Sequence, residues 1–295
     1  MGDLIHIDLF GDSLFWERMW QEARAKSLYG RRRPGRDREE YWNRRAASFA
    51  SHSQSREAQQ RVANVLHFLG HHDGLDREAE VLDIGCGPGA YALVLARRVK
   101  RVVALDPSPE MLSILKSRMQ AEGLSNIEPV QLTWEEVDLD RLGWRRRFQV
   151  VLALMSPGVH DPATLRKMIE ACHGVCLLGG HVRQEEEARR VLWHKLIGGE
   201  MPPVPPEVFY IFHLLYSWGY LPSLQLERRP ILREIEVEEA IQELENFFYP
   251  YIELNHTSRK VIVDYVLSHA VEGRYIQKRE FIAAYLCWNV NEVRE

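Results

Sequence analysis

The sequence predicts a doubly wound α/β fold: a mostly parallel seven-stranded sheet with helices on both faces, an N-terminal helical extension, and a helical cap inserted between the last two strands. Three observations lead there. Short apolar runs alternate with helical stretches through the middle of the chain. The first seventy or so residues show helical spacing with no strand pattern. Two strand-like runs near the C-terminus enclose a helical, aromatic-rich stretch.

Taken in order, helical spacing covers residues 13–27, opened by a serine cap, then 38–50 and 55–69, all within an extension of residues 1–72. Asp73-Gly74 marks the turn into a core of residues 73–235. Apolar runs at 81–84, 102–105, 127–132, 150–154 and 175–178 give five strands, and helices at 90–98, 109–122 and 162–172 are long enough for right-handed crossovers. A proline-rich hinge at 201–206 leads into a helix at 207–218. Runs at 224–235 and 281–288 are the last two strands, the second lying in a closing segment of residues 278–295. Residues 236–277 form the inserted cap. Its rings Phe247, Phe248, Tyr249 and Tyr251, with Tyr210, His213, Tyr216 and Trp218 of the helix before it, are expected to be mainly core and to shape the pocket for a small acceptor.

At 295 residues and 45% hydrophobic content the chain can bury a full core. No apolar run reaches the roughly 18 residues that a membrane span needs, and the start of the chain has no basic-then-apolar signal pattern, so no membrane and a cytoplasmic location are expected. Cys86, Cys172, Cys176 and Cys287 are too scattered for a disulfide framework or a zinc site; they read as buried thiols, and no metal is expected. A net charge of −4 makes nucleic acid an improbable partner. The arginines from Arg31 to Arg45, interrupted by Pro34 and Gly35, read as a solvated linker, with an anionic partner as the alternative. Nothing in the sequence fixes an oligomeric state.

The chemistry is concentrated in Val81-Leu82-Asp83-Ile84-Gly85-Cys86-Gly87-Pro88-Gly89-Ala90, an apolar strand running into a glycine-rich turn and a helix. Glycine tolerates the positive φ of so tight a turn, lets the backbone approach a ligand, and leads to a helix start with unpaired N–H groups. By spacing, Gly85, Gly87 and Ala90 also satisfy the dinucleotide fingerprint, with Asp106 placed for a ribose in either case. Charge separates the two ligand classes. A carboxylate at Asp83 would repel a pyrophosphate and attract the ammonium and sulfonium of S-adenosylmethionine.

The run 81–90 resembles the first motif of class I S-adenosylmethionine-dependent methyltransferases, and residues 104–112, Ala-Leu-Asp-Pro-Ser-Pro-Glu-Met-Leu, resemble the second. The resemblance spans roughly residues 41–180 and includes the Tyr41-Trp42-Asn43-Arg44-Arg45-Ala46 stretch, similar to a helix that precedes the fold in small-molecule members. It implies a Rossmann-like core, S-adenosylmethionine as cofactor with S-adenosylhomocysteine as product, and transfer to a small-molecule acceptor. By position, Asp83, Gly85, Cys86, Gly87 and Gly89 would hold the methionine portion, Asp106 the ribose, and Pro107 and Met111 the adenine. The chain departs from the family at Thr133, where many members carry an aspartate; Trp134 and Glu135 then stand as adenine contacts, with an ordinary surface tryptophan as the alternative. Met155 ends the fourth strand beside the ligand crevice.

No residue is assigned a catalytic role. His160, after the fourth strand, is the foremost candidate for a general base, and His181 the second. Residues 155–161 match neither the Asn-Pro-Pro-Tyr nor the Pro-Cys signature of base-modifying methyltransferases. A noncatalytic binder of S-adenosylmethionine, and an RNA or protein methyltransferase, are the competing readings.

Overall fold

The computed structural model describes residues 11–33, 38–53, 55–70 and 75–293. The expected turn at Asp73-Gly74 and part of the arginine-rich segment lie outside these. In chain order the elements are α1 (Ser13–Lys26), α2 (Arg38–Asn43), α3 (Ala46–Ser53), α4 (Arg56–Gly70), β1 (Glu80–Ile84), α5 (Ala92–Ala96), β2 (Arg101–Leu105), α6 (Pro109–Ala121), β3 (Ile127–Val130), β4 (Phe148–Leu154), α7 (Pro162–Ala171), β5 (Cys172–Glu185), α8 (Glu187–Leu196), α9 (Glu207–Ser217), β6 (Ser223–Glu236), α10 (Val237–Phe248), α11 (His256–His269), β7 (Ala270–Val271) and β8 (Arg274–Asn289), with a 3₁₀ turn at Leu28–Arg31.

The sheet runs β3-β2-β1-β4-β5-β8-β6, with β7 pairing off this path as an eighth strand. The first five strands are parallel, while β8 lies antiparallel to both β5 and β6. Because side chains alternate across a strand, successive residues feed two different cores. Leu82, Ile84, Val103, Leu105 and Val151 pack with Trp20, Leu165, Met168 and Val208 on one face. Val81, Val102, Ala104, Val150 and Leu152 pack with Val62, Leu66, Leu93 and Leu115 on the other. Helices α1, α7 and α9 therefore cover one face, and α4, α5 and α6 the other, as a doubly wound sheet requires.

Several boundaries differ from expectation for local physical reasons. The cap of α1 is Asp12, whose Oδ1 accepts from Phe15 N at 2.9 Å, and not Ser13. The helix expected over 38–50 is two helices, broken at Arg44 and Arg45. Strands β5 and β8 extend well beyond their apolar runs, since the outer half of an antiparallel ribbon keeps its ladder while its side chains turn polar. Helix α8 was not foreseen. It joins α10 and α11 through Ala188, Leu192, Trp193, Leu244, Phe248, Ile262 and Val266 in a third core, which Leu28 completes from the N-terminal extension.

Helix α7 fixes the exit of β4. Asp161 Oδ1 accepts from Thr164 N at 2.7 Å, and Thr164 Oγ1 accepts in return from the Asp161 and His160 N–H groups at 3.2 and 3.1 Å. This reciprocal cap satisfies donors that the first helical turn leaves open. Asp161→Ala should cost about 1 kcal/mol of stability, measured as a lower urea midpoint, with Asp161→Asn recovering most of it. An unchanged midpoint in Asp161→Ala would contradict the cap's contribution.

Candidate functional site

Parallel strands β1, β2 and β4 end together, and a cavity of about 290 Å³ opens at their carboxyl edge. Eleven of the twelve residues named from the sequence line it: Asp83, Gly85, Cys86, Gly87, Asp106, Pro107, Met111, Thr133, Trp134, Glu135 and Met155. Gly89 stands behind the loop, where a Cβ would fall 2.4 Å from Leu115 Cδ1, so it serves the close packing of the loop on α6.

The loop after β1 is tied to β2. Leu105 O accepts from Gly85 N at 2.7 Å and Cys86 N at 3.0 Å, and Asp106 Oδ2 accepts from Gly87 N at 2.9 Å. At Gly85 a Cβ would lie 2.1 Å from Ser156 Oγ, so the loop passes the β4 exit at backbone contact. Gly87 has φ +54°, and beyond it a Cβ would meet only Met111 Sδ at 3.9 Å; the loop there faces open cavity. Met155, at φ 54°, is a non-glycine residue in the left-handed region, a strain that concentrates at sites where the backbone must aim a neighbour.

Two acids dominate the electrostatics. Asp83 is fully buried, its Oδ2 has no hydrogen-bond partner, and burial, then the charge of Asp106, pushes its carboxyl up to about 7. Asp106 is also buried. Burial raises it, while the N–H groups of Ser108 and Gly87 pull it back. Each Asp106 oxygen has one backbone donor, at 2.9 Å in both cases, which leaves acceptor capacity toward the cavity. Burial, followed by the charges of Asp83 and Asp106, raises Cys86 well above the usual thiol range, which makes it an inert wall. The arrangement fits a ligand that brings a positive group to Asp83 and hydroxyls to Asp106.

At the third-strand exit, Thr133 N and Oγ1 both donate to Glu136 Oε2, at 2.9 and 2.8 Å. Trp134 is no surface residue. It is 2% exposed, and its indole N–H donates to Thr164 O at 3.0 Å. Lys167 Nζ holds the same turn through the carbonyls of Trp134, Glu135 and Val137.

His160 lies outside the cavity lining. Its Nδ1 faces the carbonyls of Pro157 and Gly158 at 3.1 and 3.2 Å, with Glu135 Oε1 at 3.7 Å. His181 also lies outside. Burial, then Arg229 and Arg189, lowers it to about 4, so it is neutral near pH 7.

The expected role of the cap needs correcting, because no residue of α9, α10 or α11 lines the cavity. Cap rings pack on α8 and on one another instead, with Tyr251 against Trp193 at 5.1 Å and Phe247 against Phe248 at 5.0 Å. The N-terminal extension forms the lid: Trp42 of α2, Phe49 and Ser53 of α3, and Ala58, Arg61 and Val62 of α4. It is fastened by Ser108 Oγ to Asn43 Oδ1 at 2.6 Å, and by Arg118, which bridges Ser53 Oγ and Pro88 O at 3.1 and 3.0 Å. The described arginines nearby are engaged rather than simply solvated. Arg45 lies over Tyr41, Trp42 and Phe49, and Arg44 pairs with Glu40 and covers Tyr249. Sequence reasoning missed Arg61, Tyr91, Ser156 and Arg229 as lining residues, since none belongs to a motif.

Comparison with known proteins agrees with this geometry. Residues 81–180 match the family described as methyltransferase domain. The ubiquinone biosynthesis O-methyltransferase of Acinetobacter baylyi is 32% identical over 132 residues, covering 44% of this chain and 53% of that protein. The tRNA/tmRNA (uracil-C(5))-methyltransferase of Stutzerimonas stutzeri is 37% identical over 67 residues, 22% of this chain and 18% of that one. The chain spans about half the length of the curated relatives it matches first. The YcgJ protein of Bacillus subtilis has the same fold, with a TM-score of 0.52, 17% identity, and coverage of 79% of this chain and 99% of that one.

The raised Asp83 pKa has a defined sign. A carboxyl whose folded value of about 7 exceeds its ordinary value of 3.8 favours the folded state most at low pH, and that share is lost as pH rises through about 7. Asp83→Asn should therefore flatten the fall in stability between about pH 4 and pH 7 and be the more stable protein at the upper end. Parallel pH profiles of thermal midpoint for the two proteins would contradict the burial cost assigned to Asp83.

Proposed function

We propose that this chain, whose residues 81–180 match the methyltransferase domain family, is a class I methyltransferase that moves the methyl group of S-adenosylmethionine to a small-molecule acceptor. The observation that carries the reading is the buried, unpartnered Asp83 Oδ2 in one cavity with Asp106 and an open glycine loop. An uncompensated carboxylate destabilises the empty protein and attracts a cationic ligand. A pyrophosphate in the same loop would meet repulsion, which disfavours a nicotinamide dinucleotide.

When bound, S-adenosylmethionine supplies a methyl carbon activated by a sulfonium. The protein's task is then alignment and exclusion of water. Asp83 with Gly85, Cys86 and Gly87 would hold the methionine portion, Asp106 the ribose hydroxyls, and Pro107 and Met111 the adenine, with Thr133, Trp134 and Glu135 bounding its edge and Met155 the reacting centre. Trp42 and Phe49 cover the site from the lid. The covering of the cavity by Trp42, Phe49 and α4 supports a small acceptor over a folded macromolecule. Relatives named for ubiquinone biosynthesis and for tRNA/tmRNA match only 44% and 22% of this chain, so the lid supports the choice of acceptor class more than those relatives do.

Release of S-adenosylhomocysteine from S-adenosylmethionine, followed across pools of small phenols, amines and carboxylic acids, tests the reading. Turnover with one pool is expected, and saturable donor binding without turnover in any pool would support a noncatalytic binder instead. Asp106→Ala should weaken S-adenosylhomocysteine by about tenfold or more, because each charge-assisted hydrogen bond contributes about 1.5 to 3 kcal/mol. Unchanged affinity in the folded variant would refute the ribose assignment. Gly87→Val, which turns a branched side chain into the open cavity, is expected to obstruct the donor while the fold survives, and calorimetry showing normal binding would contradict that loop geometry.

A further inference from the structure

Strand β6 closes one end of the sheet, and among the described residues no strand pairs with its outer edge. It is long for an edge strand, at 14 residues. Its odd-numbered side chains face the cavity and the third core, as Arg229 and Ile235 do. Every even-numbered residue from Leu224 to Glu236 is exposed, with Leu226 at 54% and Leu232 at 70%. Edges of this kind are normally shortened or covered, because open N–H and C=O groups template pairing with another strand. Pro230 tells which groups are open. It sits in register with Glu280 of β8, and a proline has no N–H to give that ladder, so its nitrogen side faces outward. Alternation along the strand turns the backbone groups of Leu226, Arg228, Leu232, Glu234 and Glu236 the same way.

The charges along this edge complement one another. Arg228 has no hydrogen-bond or ion-pair partner among the described residues. Further along, Glu234 and Glu236 share one guanidinium, that of Arg274, whose Nε lies 3.2 Å from Glu234 Oε1. One end of the edge thus carries a lone cation and the other a surplus anion. A second copy running antiparallel about a two-fold axis at Ile231 sets each Arg228 opposite the other copy's Glu234, and each Pro230 opposite the other copy's Leu232. An ion pair on either side then flanks an apolar centre. On the opposite face the same register places Arg229 across from Arg233, but each already holds its own acid, Glu227 and Glu239. A two-fold interface requires self-matching of this sort, and a peptide of unrelated sequence does not supply it. We propose that β6 is a homodimer interface, in which two copies of this chain join their sheets edge to edge with Arg228 paired to Glu234 across the axis. Pro230 removes one donor from each copy, while the N–H groups on either side of it find carbonyls.

Sedimentation velocity of the full chain, run from low to high micromolar concentration, tests the interface. The expected species is a reversible dimer of twice the chain mass. Arg228→Glu and Glu234→Arg each turn attraction into repulsion on both sides of the axis, and each should weaken the dimer about tenfold or more. Both side chains are exposed, so either variant keeps its fold. The double variant Arg228→Glu/Glu234→Arg again sets opposite charges across the axis, and its dissociation constant should return to within about threefold of wild type. Amide hydrogen exchange reads the edge itself: the N–H groups of Arg228, Leu232 and Glu234 should be protected at high concentration and open at low. A monomer at every concentration would overturn the proposal, as would a dimer indifferent to both single reversals or a double variant as weak as the singles. Protection that does not change with concentration would assign the edge to another segment of the same chain and overturn it too.

Discussion

Asp83 and Asp106 stand at the carboxyl ends of adjacent parallel strands, both buried, and among the described residues no cation offsets the burial that raises either carboxyl. Two like charges in a desolvated site oppose each other's ionisation, and the molecule keeps them there at a cost to its own stability. The features around them make this arrangement possible. Leu105 O fixes the loop by accepting two of its N–H groups, Gly87 N and Ser108 N hold one Asp106 oxygen each, and glycine at 85 and 87 lets backbone occupy space that a side chain would fill. The cores on the two faces of the sheet then keep the strand ends in register.

The lid belongs to the same constraint. Ser108 caps α6 by accepting from Met111 N at 3.1 Å, and its hydroxyl donates to Asn43 of α2, so one side chain links the second strand's exit to the N-terminal extension. Arg118 does the same between Pro88 of the loop and Ser53 of α3. Closing the cavity therefore depends on residues next to the acids, while the C-terminal helices form a separate core with α8. What covers the acceptor is the start of the chain, and what completes the far wall is β6.

Much of this was legible in the sequence because it is local. Apolar runs at 81–84 and 102–105 are buried on both faces and so read as strands, and the glycine spacing with Asp83 and Asp106 is a property of two short segments. The remainder depends on contacts between distant segments. Trp134 could be assigned to a site or to the surface until α7 was seen to supply the carbonyl that its indole meets, 30 residues away. The aromatic cluster at 247–251 gave no sign that its partner was Trp193 rather than the ligand cavity. Arg61 and Arg229 sit in ordinary helical and alternating strand patterns, and only the packing of α4 and β6 about Tyr91 brings them to one corner.

The central claim is that Asp83 is a carboxyl held out of water, partly protonated near neutrality, and charged when a cationic donor arrives. Calorimetric titration with S-adenosylmethionine near pH 7, in buffers of different ionisation enthalpy, measures it directly. The account predicts release of a substantial fraction of a proton on binding in the wild type and none attributable to this site in Asp83→Asn. Tight binding with no proton exchange in the wild type, or the same release in both proteins, would contradict it.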